Sequence, residues 1–334
     1  MPLLAAAKLS RKMFAKDIPQ LPTRNGFGEG LLLLGEKDKR VVVLCADLTE
    51  STRVEAFKKQ FPDRFVQMGV SEQSLAAIGA GMALAGRIPF IASYACFSPG
   101  RNWEQIRTTA AIPGVNLKIA GAHAGVSVGP DGATHQMTED IALMRVLPNM
   151  TVLVPCDAIE TRKATIAAAA IDGPVYIRFA RSESPVFTTD KSPFAVGKAQ
   201  ILRTGKDVAI IACGPLVYEA LLAARELAKH GIESTVVNNA SVKPMDEATI
   251  LKVAQTCRAV VTVEEAQAAG GMGSAVCELL ASEFPCPVER IGLQDEFGQS
   301  GTPTELLAHY RLTAPWIVKA AQRVIKQKTK WLSI

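Results

Sequence analysis

The chain has 334 residues, with 37 Lys and Arg against 32 Asp and Glu and a formal net charge of +5. An apolar fraction of 48% with 21% charged residues excludes a disordered or collagen-like chain. At roughly 100–200 residues per domain, the length suggests about two domains. The basic residues are scattered, so composition does not support a nucleic-acid-binding surface.

Two further features of the sequence indicate the cellular compartment. Seven cysteines occur without a CxxC pair, and most lie in apolar runs, which favours free thiols in a reducing compartment over disulfides or zinc. No apolar run approaches the ~20 residues of a membrane-spanning helix, and the amino terminus lacks the order of a signal peptide. We therefore expect a cytoplasmic protein without membrane or nucleic-acid partners.

The first half of the chain alternates strands and helices. A polar, proline-containing lead-in (17–25) precedes residues 28–34, which are predicted to end a helix. The β-branched run at 41–46 predicts a strand buried on both faces. Similar strands are predicted at 65–68, 90–93, 117–121, 151–155 and 175–179, with helices at 72–85, 101–111, 139–147 and 158–170. This order predicts a mainly parallel sheet between helices.

The second half repeats the alternation after a break. Residues 182–199 are rich in proline and hydroxyl residues, lack periodicity and are typical of an interdomain linker. Strands follow at 207–214, 234–238, 259–265 and 287–293, with helices ending at 230, beginning at 246 and ending at 280. The fold class is therefore α/β, with two consecutive domains, each a mainly parallel sheet flanked by helices. The predicted limits are an extension at 1–23, a first domain at 24–185, a linker at 186–200 and a second domain at 201–334.

The segment MGVSEQSLAAIGAGMALAG (68–86) places an acid at the start of a helix. Ser71 is predicted to cap this helix, with Glu72 in its first turn. Ala76, Gly79 and Ala83 follow on the face of Glu72 as a strip of small residues. One interpretation is an ordinary acid favoured by the helix dipole. The other is a carboxylate, buried by close packing, that shares a proton with a ligand nitrogen.

The segment GAHAGVSVGPDGATHQMTED (121–140) is a glycine-rich loop at the end of a strand, where open α/β sheets bind ligands. It contains His123 and His135, two of the four histidines, with Asp131 between them. Its spacing matches neither the Walker nor the dinucleotide pattern, and nothing in the spacing fixes the geometry that a metal site of two His and one Asp would need. Because imidazole titrates near neutrality, the histidines are better interpreted as proton carriers or hydrogen-bond partners of a polar substrate.

The segment SYACFSPGRNWEQIR (93–107) groups Tyr94, Phe97, Arg101 and Trp103. Core packing explains such a group, and so does a stacking wall for a flat heterocycle. Arginine and serine in IRFARSESP and ADLTESTR are candidates for anion binding. The glycines of EEAQAAGGMGS (264–274) precede a helix and are interpreted as structural.

Together, ADLTEST, GVSEQSLAAIGAGMA, the aromatic group, GPDGATHQMTED and IRFARSESP resemble the carboxyl-terminal half of transketolase, and RIGLQDEFGQSGTPTELL resembles its last domain. The resemblance runs in order from about residue 24 to residue 321. It covers the family's pyrimidine-binding and carboxyl-terminal domains, whereas the family's diphosphate and metal signature, GDG followed by Asn, is absent. It therefore implies a subunit of a split transketolase whose diphosphate-binding domain, with the Mg²⁺ ligands, lies on a partner chain. The small-residue strip suggests self-association, and hence a heterotetramer of two plus two chains.

The resemblance implies a transferase that moves a two-carbon ketol group from a ketose phosphate to an aldose phosphate, as in the pentose phosphate pathway. The reaction uses the ylide of thiamin diphosphate, with Mg²⁺. Alternatives are a chain like 1-deoxyxylulose-5-phosphate synthase, a β subunit like that of a 2-oxoacid dehydrogenase, or a non-catalytic binding protein of this fold. The THQ and FGQSGTP strings favour transketolase.

The resemblance also implies residue roles around the cofactor. Glu72 matches the catalytic glutamate that bonds N1′ of the thiamin pyrimidine and so promotes the imino tautomer that deprotonates C2. Tyr94 and Phe97 match the aromatics that stack on the pyrimidine, and Arg101 lies near the same wall. Asp47 matches an acid near the thiamin.

The remaining implied roles concern the substrate. His123, Asp131 and His135 match groups that hold sugar hydroxyls, and the two histidines are catalytic because they move protons as the carbon–carbon bond breaks and forms. Ser51 and Arg181 match contacts to the sugar phosphate. No metal ligand is expected on this chain.

Overall fold

Two β-sheets covered by helices organise the chain, which confirms the predicted α/β class with two mainly parallel sheets. The structure is a computed structural model that describes residues 3–331. The strands of this part are β1 (Gln20–Pro22), β2 (Val41–Cys45), β3 (Phe65–Gln67), β4 (Ile88–Tyr94), β5 (Lys118–Ala122), β6 (Thr151–Leu153), β7 (Val175–Arg178), β8 (Glu183–Pro185), β9 (Gln200–Arg203), β10 (Val208–Ala212), β11 (Ser234–Asn238), β12 (Ser241–Lys243), β13 (Val260–Gln267) and β14 (Val288–Leu293).

The helices cover both faces of the sheets. They are α1 (Thr23–Lys37), α2 (Glu55–Gln60), α3 (Glu72–Leu84), α4 (Trp103–Gln105), α5 (Asp140–Arg145), α6 (Ala158–Ala169), α7 (Leu216–Lys229), α8 (Glu247–Cys257), α9 (Met272–Glu283), α10 (Pro303–His309) and α11 (Ala314–Trp331). A π-helical segment, Ile106–Ala111, continues α4, and 3₁₀ turns lie at Ala5–Ala7, Pro62–Arg64 and Val126–Val128. Across the described residues, no helix is long and apolar enough to cross a membrane.

The first sheet has the strand order β12-β6-β7-β5-β4-β2-β3. All neighbours are parallel except β12, which is antiparallel to β6. Every residue of β2 is buried, as expected for a strand with helices on both faces. The second sheet has the order β14-β13-β10-β11-β9, with β9 antiparallel to β11.

Helix α1 begins earlier than predicted, inside the expected polar lead-in. Thr23 fixes its start, because the Thr23 hydroxyl accepts a hydrogen bond from Ala180 N at 2.7 Å, just beyond β7. Gly26 brings α1 close to α6, since a Cβ at that position would lie 1.8 Å from Ala158 O. The glycine that weakens intrinsic helix propensity here therefore permits the packing that stabilises the helix.

The predicted linker is more ordered than its composition indicates. Strand β8 lies directly before the predicted linker at 186–200 and pairs with β1, and the last residue of that linker begins β9. Asp157, the N-cap of α6, also accepts hydrogen bonds from Phe187 N at 3.0 Å and Thr188 N at 2.7 Å. Hydrogen bonds to the first domain thus fix a segment that has no hydrophobic period of its own.

Candidate active site

The first sheet brings the predicted site residues to one edge. Tyr94 ends β4, His123 directly follows β5, Asp47 lies just after β2, and Arg181 lies just after β7. Because these strands are parallel, their carboxyl ends meet at the same edge of the sheet. Residues far apart in sequence therefore form one site.

Glu72 is the first residue of α3 and is 4% exposed. Ser93 Oγ donates to Glu72 Oε1 at 3.0 Å, and Asn102 Nδ2 donates to its main-chain oxygen at 2.9 Å. Oε2 makes no hydrogen bond to any residue between 3 and 331. The carboxylate thus has one oxygen held by the protein and one available to a ligand.

The structure corrects two predictions about this helix. Ser71 occupies the N-cap position, but its hydroxyl donates to Met68 O at 3.0 Å and does not cap the helix. The small-residue strip faces the chain's own sheet, because a Cβ on Gly79 would lie 2.7 Å from Ile91 and 2.9 Å from Leu117. The strip therefore brings α3 close to the sheet and is not an exposed face for another subunit.

Four rings form a wall beside α3, the helix that begins with Glu72. Tyr94 and Phe97 stack with centroids 6.0 Å apart and planes at 18°. Tyr94 also lies 4.0 Å from the ring of His123, and Phe97 lies 5.6 Å from that of His135, edge to face. The two aromatics and the two histidines are thus brought together.

The other two members of the predicted aromatic group lie elsewhere. Trp103 packs against the main hydrophobic core, and its Nε1 donates to Leu143 O at 2.8 Å. Trp103 thus follows core packing, one of the two interpretations that the sequence left open for this group. Arg101 is exposed, and its guanidinium bonds to none of the described residues.

His123 is buried in a left-handed turn, with φ of 56° and 1% exposure. Its Nε2 lies 3.3 Å from Arg24 Nη1, and since arginine can only donate, this nitrogen accepts and the proton is on Nδ1. Nδ1 is buried and has no hydrogen-bond partner among the described residues. Burial, followed by the positive charges of Arg24, Arg181 and Arg53, lowers the pKa of His123 to about 3. The ring is therefore neutral at physiological pH, with a free donor.

The remaining predicted residues of the loop are His135 and Asp131. His135 is half-buried, with Nδ1 2.9 Å from Thr134 Oγ1. Asp131 accepts from Arg181 Nη1 at 3.0 Å. The acid predicted to meet a sugar hydroxyl thus also orients the arginine predicted to bind phosphate.

A cavity of about 460 Å³ opens beside these residues, with Arg24, Arg53 and Arg181 in its wall. Ser51 does not line it, but its main-chain oxygen accepts from Arg24 Nη1 at 2.9 Å. Burial lowers the pKa of Arg24, and so does repulsion by Arg53 and Arg181. The cavity is therefore strongly positive and suited to an anionic group.

The second domain holds the histidine loop in place. Glu265, near the end of β13, accepts a hydrogen bond from Ser127 N at 2.6 Å. Gly125 makes this approach possible, since its φ is +87° and a Cβ would lie 2.3 Å from the Glu265 carboxylate. Arg178 crosses the same boundary, donating to Asp140 Oδ2 at 2.8 Å and to Glu265 O at 2.7 Å. The glycine density of the loop thus reflects a contact between domains.

Asp47 lies just after β2, at the carboxyl edge of the first sheet. It is exposed, has φ of 59°, and donates its main-chain N–H to Gln67 Oε1 at 3.0 Å on the neighbouring strand β3.

Glu264, interpreted from sequence as part of a structural segment, accepts from Met272 N and Gly273 N at the start of α9. Within residues 3–331, no group of three or more His, Cys, Asp or Glu is placed to hold a metal ion.

Three functional candidates escaped the sequence analysis. Arg24 lies in the predicted lead-in, and its contact with His123 spans 99 residues of sequence. Ser93 and Asn102 lie within the aromatic segment, where their neighbours drew attention instead. Their polarity between a predicted strand and a helix was the available signal.

The chain matches two family models, one after the other along the sequence. Residues 19–186 match the transketolase pyrimidine-binding domain, and residues 197–317 match the transketolase C-terminal domain. Fold and site thus define a protein with a pyrimidine-binding domain followed by a C-terminal domain. This chain belongs to the transketolase family.

Relatives of similar length are described as parts of divided transketolases. A transketolase C-terminal section from Methanocaldococcus jannaschii is 43% identical over 91% of this chain and 96% of its own length. A 6-deoxy-6-sulfo-D-fructose transketolase subunit from Clostridium sp. strain MSTE9 is 41% identical over 91% and 95%. A solved structure titled "Split gene transketolase, inactive beta4 tetramer" superposes with a TM-score of 0.87 at 45% identity and covers 92% of this chain and 99% of its own.

Proposed function

We propose that this chain is the pyrimidine-side subunit of a split transketolase that moves a two-carbon ketol group from a ketose phosphate to an aldose phosphate. The supporting observation is Glu72, a buried carboxylate with one oxygen bonded to Ser93 and one free of bonds to described residues. It begins a helix beside the carboxyl edge of β4, where Tyr94 and Phe97 stack. In this proposal a partner chain supplies the diphosphate-binding domain and the Mg²⁺ ligands.

The residues of this site fit the pyrimidine end of thiamin diphosphate. The unbonded oxygen of Glu72 suits a ring nitrogen, and Tyr94 and Phe97 offer aromatic surface for a flat ring. When bound, this cofactor supplies the nucleophilic carbon and the electron sink for breaking a carbon–carbon bond. Ser93 and Asn102 hold Glu72 in position from both its carboxylate and its main chain, so the shared proton stays at a fixed place.

The substrate side is assigned to the histidine loop and to the arginines of the neighbouring cavity. Neutral His123 would donate a hydrogen bond from Nδ1 to a sugar oxygen, whereas half-buried His135 would carry protons. Arg181, oriented by Asp131, and Arg24, held against Ser51, would bind the phosphate. Arg101, which is exposed beyond the aromatic segment, and Asp47, just after β2, would contact the cofactor or the partner chain.

Self-association is assigned to the outer face of α3. Ile78 and Leu84 are exposed on this helix, and Val70 and Ile112 are exposed nearby. A solvent-facing apolar group of this size is typical of an interface, and the solved relative is titled a tetramer. Two copies of this chain with two partner chains would form the assembly.

The cellular setting follows from the same set of proposals. All seven cysteines are free thiols, which supports a reducing compartment such as the cytoplasm. A phosphorylated ketose and aldose as substrates would place the reaction among pentose phosphate interconversions.

The test is ketol transfer by the chain mixed with a partner that carries the GDG-type diphosphate domain. Glu72→Gln keeps the shape of the side chain but cannot share the proton, so the mixture should lose at least about 100-fold in kcat. Glu226→Gln, at a partly exposed glutamate on α7, is the matched control and should keep full activity. Activity near that of the wild type in Glu72→Gln, with the fold intact by circular dichroism, would reject the proposal.

A further inference from the structure

The cavity beside His123 contains more positive charge than its own contacts neutralise. Arg24, Arg53 and Arg181 line it together, and only Arg181 has an ion pair, with Asp131 at 3.0 Å. Glu183, the one acid among the described residues of the wall, forms no ion pair with a described residue. Mutual repulsion contributes to the lowered pKa of Arg24. An anion with more than one negative charge would relieve this repulsion most.

Arg53 is held in place by helix α1. Its Nε donates to Asn25 Oδ1 at 3.0 Å. Its main chain is left-handed, with φ of 63°, and passes so close to α1 that a Cβ on Gly28 would lie 2.6 Å from Arg53 O. Asn25 and Gly28 are three residues apart, hence on one face of the helix. The helix thus fixes one side of the guanidinium and leaves its two terminal nitrogens without a bond to any described residue.

A second donor in the same cavity lacks a partner. Arg24 Nη1 is committed to Ser51 O and His123, but Arg24 Nε is buried and bonds to none of the described residues. Buried donors are normally satisfied. Since that Nε is buried, a ligand in the cavity would meet instead the terminal nitrogens of Arg53, whose side chain lines the wall.

We propose that Arg53, positioned by Asn25 and Gly28, is a specificity-determining residue that makes this pocket select a dianionic terminal group over a monoanionic one. The proposal rests on the proposed function for the nature of the substrate, a sugar carrying that group. A phosphate monoester has about −1.5 to −2 charges near pH 7, whereas a sulfonate has one. The attraction that a third guanidinium adds is therefore stronger for a phosphate than for a sulfonate.

The experiment is a calorimetric titration of the full chain at pH 8 with inorganic phosphate, which is then mainly dianionic, and with methanesulfonate. Arg53→Met should raise the Kd for phosphate about tenfold and that for methanesulfonate less than about threefold. Asn25→Ala should give a smaller rise in the Kd for phosphate, because the charge of the Arg53 guanidinium remains but its orientation is lost. Arg258→Met is the matched control and should change neither Kd, since Arg258 is also left-handed and exposed, at the end of α8.

Two results would overturn the inference: a wild-type chain that does not bind phosphate, or an Arg53→Met variant that affects both anions equally or not at all. The ketol-transfer assay separates this outcome from failure of the proposed function. Transfer by the mixed chains, with phosphate affinity independent of Arg53, would reject only the role of Arg53. Absence of transfer, with phosphate selectivity that depends on Arg53, would reject the reaction and retain the anion site.

Discussion

At the scale of single residues, the site depends on groups held in one protonation state or one orientation. His123 is the clearest case, because burial and three nearby arginines disfavour its charged form. A neutral ring that accepts from Arg24 and presents Nδ1–H acts as a fixed hydrogen-bond donor. Proton transfer would then be the task of His135, which is half-buried.

We expect His123 to stay neutral from pH 8 to pH 5, because its pKa is lowered to about 3. Nitrogen NMR of histidine-labelled protein should show no midpoint for its ring in this range, with His123→Asn assigning the signal. The unfolded chain, with a pKa near 6.5, binds more protons between pH 6.5 and pH 3. This group's contribution to stability should therefore fall as pH decreases through that interval. A midpoint near pH 6.5 in the folded protein would contradict the assignment.

Sequence reasoning found the site residues that lie in dense motifs and missed those defined by distant contacts. Glu72, Tyr94, Phe97 and His123 each lie in a segment of unusual composition. Arg24 does not, and its place in the pocket depends on α1 packing beside a loop that follows β5. A single arginine in a polar lead-in has no local pattern that would reveal this contact.

At the scale of elements, one acid of the second domain fixes the histidine loop of the first. Glu265 lies near the end of β13 and accepts from Ser127 N, and Arg178 bonds to its main-chain oxygen. The loop that carries His123 and His135 is thus braced from the neighbouring domain. Its order depends on a contact that the loop sequence alone does not contain.

Removing this acceptor should loosen the loop. Glu265→Ala deletes the oxygen that binds Ser127 N but keeps the main-chain oxygen that binds Arg178. Amide exchange at residues 126–128 should accelerate about tenfold, which corresponds to one lost hydrogen bond. Glu265→Gln keeps an acceptor and is the matched control. Exchange at wild-type rates in Glu265→Ala would show that the loop stays ordered without the hydrogen bond to Glu265.

The elements that were predicted have a local signal in their own sequence. Strand β2 has a continuous β-branched run, and the helix beginning at Glu72 has a candidate capping residue and a strip of small residues. Strands β8 and β12, at three residues each, were not predicted, since each pairs antiparallel with a strand remote in sequence. Hydrogen-bond partners, and not apolar periodicity, define such strands.

At the scale of the whole molecule, the two domains share structure. Strand β12 comes from the second half of the chain but extends the first sheet at β6. The polar contacts of Glu265 and Arg178 cross the same boundary. The apolar face of α3 remains exposed on the outside of this unit.

We expect the chain to associate through that face. Leu84 is 73% exposed, and Leu84→Glu should weaken association by at least about tenfold, because it places a charge in an apolar interface. Leu33→Glu, on the exposed side of α1, is the matched control and should leave the apparent molecular mass of the assembly unchanged. Sedimentation equilibrium measures this mass for both variants. A Leu84→Glu variant with the wild-type mass would exclude this face.

The most direct test of a divided cofactor site is calorimetric titration of thiamin diphosphate with Mg²⁺ into the chain alone and into an equimolar mixture with its partner. Within residues 3–331 no cluster of acids or histidines is placed to hold the metal. We therefore expect the isolated chain to bind on the order of 100-fold more weakly than the mixture. Equal affinity in the two samples would contradict the account.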